Sequence, residues 1–212
     1  CVFTAHESDV VMWNRCKRAR TLSNEVHVSC AKMSKFGSIE FIVCFGNRLT
    51  GVSTCGRLLC WDIASRERFY TIDLRQFCND KPFYASCIVH PHGYSNKILI
   101  AGRVEGINSH PLLLINIVTG ALTNAYAGFG SSVTTLVQST VPDVLGVGLS
   151  DGRVVCHNFL YDRSICVFLH SSGEYSSSVT SLAFQNGSGG VRWAMMASGG
   201  SDGVVIVWNL TK

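Results

Sequence analysis

A short closing pattern recurs five times along this chain. Each copy is an apolar run that ends in an aromatic, aliphatic or histidine residue followed by Asp or Asn. The copies are VVMWN (10–14), LLCWD (58–62), LLLIN (112–116), VVCHN (154–158) and VIVWN (205–209). They lie roughly 40 to 55 residues apart, a period typical of architectures that repeat one supersecondary unit. The fold must therefore let each unit pack on the next.

The residues before three of these closures indicate that the unit is built from β-hairpins. Similar turns precede the second, fourth and fifth copies: Thr54-Cys55-Gly56, Ser150-Asp151-Gly152 and Ser201-Asp202-Gly203. A glycine in such a turn accepts the positive φ that tight hairpins need. Further apolar runs of about six residues lie upstream of each turn, and no segment shows a convincing helical period. The pattern predicts an all-β, antiparallel fold.

Four-stranded units at this spacing favour a WD-repeat β-propeller, because a sheet with two apolar faces needs a neighbour on each side. We predict about four blades of an incomplete ring across residues 1–212, with a chain that begins and ends within a blade. The predicted units are 8–22 (the last two strands of one blade), 39–74, 85–127 and 133–169 (full blades), and 179–210 (a blade without its last strand). The third strands are predicted at 57–62, 111–116, 153–158 and 204–209, and loop insertions at 23–38, 103–110 and 186–192.

Seven of the ten residues that end the closures are predicted to be structural positions within the blades. These seven are Trp13, Trp61, Asp62, His157, Asn158, Trp208 and Asn209. His157 takes the place of the tryptophan found in other copies. We interpret it as a structural histidine that is hydrogen-bonded within its blade, not as a catalytic base.

The composition favours an intracellular protein with a sizeable core. Apolar residues make up 47% of the chain and charged residues 15%, and no apolar run approaches the ~20 residues of a membrane span. The ten cysteines are scattered, and several lie inside apolar runs. That distribution indicates buried thiols in a reducing compartment, so we predict that none of the ten is bridged.

Motifs that could carry chemistry have simpler explanations. The pairs Gly128/Gly130 and Gly146/Gly148 do not open a helix after a strand, so they are interpreted as turn and strand glycines. His90-Pro91-His92 lacks a third metal ligand nearby in sequence. The nucleophile elbow G-x-S-x-G does not occur. We therefore expect no enzyme activity, no catalytic residue, no cofactor, no metal and no small-molecule substrate.

One dense basic cluster stands out against a mild net charge of +4. Arg15, Lys17, Arg18 and Arg20 fall at a predicted hairpin tip, where Lys32 and Lys35 could extend the patch. A solvated turn is the simpler interpretation, and contact with an RNA backbone or an acidic partner is the functional one. Aromatic residues do not alternate with the charges, so any RNA contact is expected to be independent of sequence.

Beyond the fold, the sequence resembles one particular family. The stretches that carry the resemblance are HPHGYSNKILIAG (90–102), VTTLVQSTVPDVLGVGLSDGRVVCHNFLYD (133–162), and SVTSLAF with MASGGSDGVVIVWNL in the last repeat. They are similar to the first propeller of the tandem-propeller WD-repeat subunits of the U-three snoRNP and small-subunit processome, which belong to its UTP-B subcomplex. The match is good over about 85–212 and loose over 8–74, and it departs at 23–38 and 103–110.

This resemblance implies a nuclear, nucleolar scaffold for ribosome biogenesis and rRNA processing, one that performs no chemistry itself. It also implies other propeller subunits as protein partners, and contact with pre-rRNA or snoRNA backbone. Two alternatives remain open. The chain could belong to a generic propeller adaptor, for example in ubiquitin ligation, trafficking or cilia, or to an enzyme built on a propeller scaffold.

Overall fold

The computed structural model describes residues 2–6, 9–15, 22–28, 37–65, 67–171, 177–185 and 194–211. These residues form five antiparallel sheets, which confirms the predicted all-β propeller class. The regular helix among them is one 3-10 turn at Leu74–Phe77. No helix in the described part of the chain is long and apolar enough to cross a membrane.

We number the sheets as blades 1 to 5 in chain order. Blade 1 contains β1 (Val2–His6), β2 (Asp9–Arg15) and β3 (Leu22–Val28). Blade 2 contains β4 (Ile39–Phe45), β5 (Arg48–Ser53), β6 (Arg57–Asp62) and β7 (Arg68–Asp73). Blade 3 contains β8 (Phe83–Val89), β9 (Lys97–Val104), β10 (Leu112–Asn116) and β11 (Leu122–Tyr126). Blade 4 contains β12 (Val133–Gln138), β13 (Val144–Leu149), β14 (Arg153–Asn158) and β15 (Arg163–Leu169). Blade 5 contains β16 (Val179–Phe184), β17 (Met195–Gly200) and β18 (Val205–Asn209).

The expectation of two strands within residues 8–22 is wrong. Blade 1 has three strands, of which β1 begins at Val2 and β3 occupies much of the predicted loop 23–38. β3 has the sequence LSNEVHV, which is too polar to indicate a strand. Backbone hydrogen bonds to β2 hold it as a strand, and pairing of this kind leaves no periodic pattern of apolar residues in the sequence. Blade 3 likewise begins two residues before the predicted position 85, at Phe83.

The two faces of each sheet are buried against different neighbours, because successive strand residues point to opposite faces. In β6, Leu59 and Trp61 pack on Val10 and Met12 of blade 1. Leu58 and Cys60 point the other way, into a core shared with blade 3. Two more cores of this kind join blade 3 to blade 4 and blade 4 to blade 5. Burial between consecutive blades is therefore the main stabilising contribution.

The first strand of a blade contains a β-bulge whose extra residue carries a hydroxyl in blades 3, 4 and 5. The bulge residues are Ser86, Thr134 and Thr180, while blade 2 has Glu40 at this position. Ser86 donates to the carbonyl of Val133 at 2.6 Å, and Thr134 lies 2.5 Å from the carbonyl of Val179. Val133 and Val179 open the first strands of the next blades. The bulges thus add hydrogen bonds from one blade to the next.

Candidate functional site

In blades 2 to 5, the Asp or Asn that ends the third strand holds the turn that follows it. Asp62 accepts a hydrogen bond from the backbone N–H of Ser65 at 2.8 Å, and this bond is the main cause of the lowered pKa of Asp62. Asn158 accepts from the amides of Leu160 and Tyr161, both at 3.0 Å. Asn116 and Asn209 cap their turns in the same way. The second half of the closing pattern is therefore a turn-capping side chain.

In blade 5 the closing tryptophan belongs to a buried polar network. The Trp208 indole Nε1–H donates to Ser198 Oγ at 2.8 Å, and Ser198 Oγ lies 2.7 Å from His170 Nδ1. His170 Nε2 is 3.5 Å from an Asp202 carboxylate oxygen. His170 and Ser198 are both fully buried. The network joins four positions: the end of blade 4, the second strand, the hairpin turn and the third strand of blade 5. It holds these segments in register.

In blade 4 the equivalent residue is His157, which is buried but lacks the expected hydrogen bond. Among the described residues, neither ring nitrogen has a hydrogen-bond partner. The ring instead meets the rings of Tyr126 and Phe129 edge-on, with centroids 5.5 and 5.2 Å apart, and Asp162 lies 3.3 Å from Nε2. Burial lowers the pKa of His157, although Asp162 opposes the shift. A structural role agrees with this packing, but the bonding predicted within the blade is wrong.

The strand register explains why blade 5 alone of blades 2 to 5 has this network. Ser198 lies two residues after the residue that pairs with Trp208. The same place is occupied by Gly51 in blade 2, Ile100 in blade 3 and Val147 in blade 4. None of these side chains carries a hydroxyl. Consistent with this, the indole Nε1 of Trp61 is buried without a hydrogen-bond partner in the described residues.

Polar contacts at the loop ends also tie blade 3 to blade 4. The Tyr94 hydroxyl donates to Asp143 at 2.7 Å, which raises the pKa of Tyr94 to about 12, and Lys97 lies over the Tyr94 ring. The Tyr126 hydroxyl bonds the carbonyl of Phe159 at 2.5 Å. These aromatic residues couple loops that are distant in sequence. Sequence reasoning missed them because their partners lie in other blades.

The other motifs considered in the sequence have structural environments. His90 stacks on Phe45 with ring centroids 3.9 Å apart. Gly146 and Gly148 lie in β13, where an added Cβ would meet Phe184 and Val179 of blade 5 at 2.9 and 2.7 Å. These glycines permit close packing of blades 4 and 5. Within the described residues, no group of three His, Cys, Asp or Glu side chains could hold a metal ion.

The basic cluster falls largely outside the described part of the chain. Arg15 ends β2, whereas Lys17, Arg18 and Arg20, together with Lys32 and Lys35, lie outside the described residues. β2 pairs with β3, so Arg15 is at the end of a hairpin strand. The side chain of Trp13 also lies outside the description. The contact assigned to the four basic residues stays a prediction.

The described cysteines are free thiols. They are Cys44, Cys55, Cys60, Cys78, Cys87, Cys156 and Cys166. Burial raises the pKa of Cys60 and of Cys87 to about 12, which suppresses reactivity at neutral pH. Cys1, Cys16 and Cys30 lie outside the described residues. The absence of bridges across all ten therefore stays a prediction.

Consecutive four-stranded sheets, turn-capping closures and a buried Trp–Ser–His network define a WD-repeat β-propeller. The sequence matches the family described as "WDR36/Utp21 first beta-propeller" over residues 1–212. The chain belongs to this family, and the predicted resemblance is confirmed. It is 32% identical over 173 residues to human WD repeat-containing protein 36, covering 81% of this chain and 17% of that protein. It is 26% identical over 177 residues to the Schizosaccharomyces pombe U3 small nucleolar RNA-associated protein 21 homolog, covering 83% and 18%.

The chain thus spans about a sixth of the length of these curated relatives. Similar solved structures include two computationally designed proteins. Ika8 has a TM-score of 0.65 at 17% identity and covers 98% of this chain and 57% of its own. Ika4 has a TM-score of 0.58 at 20% identity and covers 81% and 91%. These two likenesses support the fold alone.

Proposed function

We propose that this propeller is a non-catalytic scaffold module for small-subunit ribosome biogenesis. It would hold other propeller subunits and the backbone of pre-rRNA or snoRNA within the small-subunit processome, in the nucleolus. The observation that carries this proposal is the family match over residues 1–212. The name of the fission yeast relative describes a protein associated with U3 small nucleolar RNA.

The described residues support a scaffold in physical terms. Ionisable groups with displaced pKa values are engaged in structure: Asp62 caps a turn, Tyr94 ties two loops and His157 packs between aromatic rings. Catalytic groups would instead converge on one concave site with a place for a substrate. Rigid blades with variable loops are typical of surfaces that present binding sites to several partners.

The test is to purify the full-length protein from cells under mild salt and quantify the associated RNA. We expect enrichment of U3 small nucleolar RNA and of small-subunit rRNA precursors, and we expect depletion of the protein to block precursor cleavage. Recovery with other assemblies, without this RNA, would contradict the proposal and favour a generic propeller adaptor. Recovery of the RNA with normal cleavage after depletion would contradict the processing role.

A second experiment addresses the basic cluster. Replacing Arg15, Lys17, Arg18 and Arg20 by Ser is expected to weaken recovery of the particle while leaving the fold intact. For every phosphate that is no longer neutralised, the salt dependence of RNA binding should flatten by roughly one log unit per log unit of salt. Lys81 and Arg103 are exposed cations at blade 3, so replacing both by Ser is the matched control. If the two variants show the same particle recovery and the same salt dependence, the cluster is only a solvated turn.

A further inference from the structure

The outermost strand of blade 4 is exposed in a way that the other four-stranded blades avoid. β15 lies at the edge of its sheet, and Ile165, Val167 and Leu169 are 58%, 54% and 54% exposed. Between Ser164 and Leu169 it carries no charged residue. Native edge strands are normally protected by charge, proline, a bulge or a covering element. An apolar edge of this kind marks a binding surface.

The outer strands of the other two four-stranded blades expose less aliphatic surface. In blade 2, β7 begins with Arg68 and ends with Asp73, and its exposed apolar side chains are aromatic: Phe69, which lies 5.3 Å from the Arg48 guanidinium, and Tyr70. In blade 3, β11 exposes Thr123, Asn124 and Ala125, which are small or polar. The three-stranded blade 5 also exposes aliphatic residues on its edge strand, Val205 and Val207 of β18, so the contrast holds among the four-stranded blades.

The exposed side chains of β15 lie between two blades that are both present. Val167 pairs with Val155, and Val155 belongs to the core shared by blades 3 and 4. Its neighbour Phe168 points the other way and stacks on Trp208 of blade 5, with centroids 4.8 Å apart. One face of β15 is thus covered, while the face toward blade 3 stays open where the outer strands diverge.

The backbone of β15 offers hydrogen-bonding groups along this open edge. The backbone N–H of His170 donates to the carbonyl of Gly152 at 2.8 Å. From this pair onward, hydrogen-bonded and non-hydrogen-bonded residue pairs alternate along the ladder between β15 and β14. In an antiparallel pair, the residues between hydrogen-bonded positions direct their N–H and C=O away from the partner strand. Val167 and Leu169 therefore present free backbone groups beside their exposed side chains.

A cationic hollow lies at the start of the same strand. It has a volume of about 350 Å³ and is lined by Asn158, Tyr161, Arg163, Ser164 and Ile165. Arg163 supplies its charge and makes no ion pair with the described residues. Tyr161, which is 76% exposed, forms its aromatic wall. This arrangement suits a carboxylate with apolar groups beyond it.

We propose that β15 is a docking edge for an extended segment of a protein partner. The segment adds as a fifth strand of blade 4, places alternating apolar side chains over Ile165, Val167 and Leu169, and directs an acidic residue to Arg163. Backbone pairing supplies the affinity and the alternate side chains supply the specificity. RNA fits this surface less well, because three aliphatic side chains can neither neutralise a phosphate nor donate a hydrogen bond to it. This inference rests on the proposed scaffold role and names one of its contact surfaces.

Hydrogen exchange of the full-length protein tests the proposal. The protein is measured in the native particle, in the same particle after RNase treatment, and again after the particle is dissociated in high salt. We expect the amides of 163–169 to exchange at least ~10-fold more slowly in the particle, and those of 122–126 in β11 to be unchanged. Equal exchange of 163–169 in both states would overturn the proposal. So would protection that disappears on RNase treatment, which would indicate RNA as the occupant.

Two variants sharpen this result. Val167→Lys places a charge on the docking edge, and Ala125→Lys places the same charge on β11, where Ala125 is exposed. We expect Val167→Lys to remove the protection of 163–169 and Ala125→Lys to retain it. Similar protection in both variants would contradict the docking edge. The U3 RNA content of the particle is scored separately, so failure of the docking edge is distinguishable from failure of the scaffold role.

Discussion

Blades 4 and 5 fill the same structural position in two different ways. In blade 5, Trp208 donates to Ser198, which contacts the buried His170. In blade 4, His157 sits between aromatic rings with Asp162 nearby, and its nitrogens have no hydrogen-bond partner in the described residues. One position can thus be stabilised by a hydrogen-bonded polar network, in which His170 Nε2 has no hydrogen-bond partner among the described residues, or by packing against aromatic rings. A polar network is the more demanding solution, because losing one member leaves the others buried and unpaired.

The largest expected effect comes from removing the central member of the network. Ser198→Ala leaves the Trp208 N–H and one His170 nitrogen without partners, so blade 5 should lose ~2–4 kcal/mol of stability. The measurement is native-state hydrogen exchange of β17 and β18 in the full-length protein. A loss below ~1 kcal/mol would show that the network contributes little.

The reciprocal change, Val147→Ser in blade 4, places a hydroxyl at the equivalent of the Ser198 position, on the face of the sheet that carries His157. The loss of a methyl group from the core and the cost of burying the hydroxyl should outweigh a single new hydrogen bond to His157, so the blade should lose ~1–2 kcal/mol of stability. The matched readout is exchange of β13 and β14. A neutral result would contradict the view that blade 4 is satisfied by apolar packing.

A double-mutant cycle gives the next largest effect. Trp208→Phe combined with Ser198→Ala should reveal a coupling free energy of ~1 kcal/mol, because the two residues share a hydrogen bond. In blade 2, Trp61 shares no hydrogen bond with Thr50, which bonds the carbonyl of Val43. The cycle of Trp61→Phe with Thr50→Val should therefore be additive. Equal coupling free energies in the two cycles would contradict the difference drawn between blade 5 and blade 2.

The smallest effect is the pH dependence that His157 contributes to blade 4. Burial lowers the pKa of His157 from its ordinary value of 6.5. Below pH 6.5, the imidazole is therefore protonated more readily in the unfolded chain than in the folded protein. Stability is therefore present above pH 6.5 and is lost as the pH falls toward the folded pKa. His157→Leu should therefore lose less stability between pH 7 and pH 5 than the unchanged protein does, as measured by hydrogen exchange of β13 and β14.

The reference for this measurement is the unchanged protein. His90, whose pKa is also lowered by burial, is present in both proteins, and the difference between them therefore isolates His157. Identical profiles for the two proteins would refute the assignment.

The fold could be predicted well where strands are apolar and turns carry glycine. β6, β14 and β18 lie within one residue of their predicted bounds. β3 could not be predicted, since a polar outer strand is ordered by pairing alone. The position of Trp208 followed from the closing pattern, but its partners His170 and Ser198 lie on other segments. A hydroxyl in the second strand before an Asp-Gly turn was the one signal available.

The docking edge shows a similar limit. The run Ile165–Leu169 looks like an ordinary half-buried strand in sequence. Only the topology shows that one of its faces is covered by blade 5 and that the other is open. The identity of the neighbouring element decides whether apolar residues are core or surface, and strand periodicity does not contain that information.

The bulge hydroxyls have a consequence for how the protein is made. Ser86 finds its acceptor 47 residues later and Thr134 finds its acceptor 45 residues later, in each case at the first residue of the following blade. A blade leaving the ribosome therefore cannot complete this bond until the next blade has begun to emerge. These inter-blade hydrogen bonds therefore form in the order of translation, and each newly translated blade stabilises the one made before it.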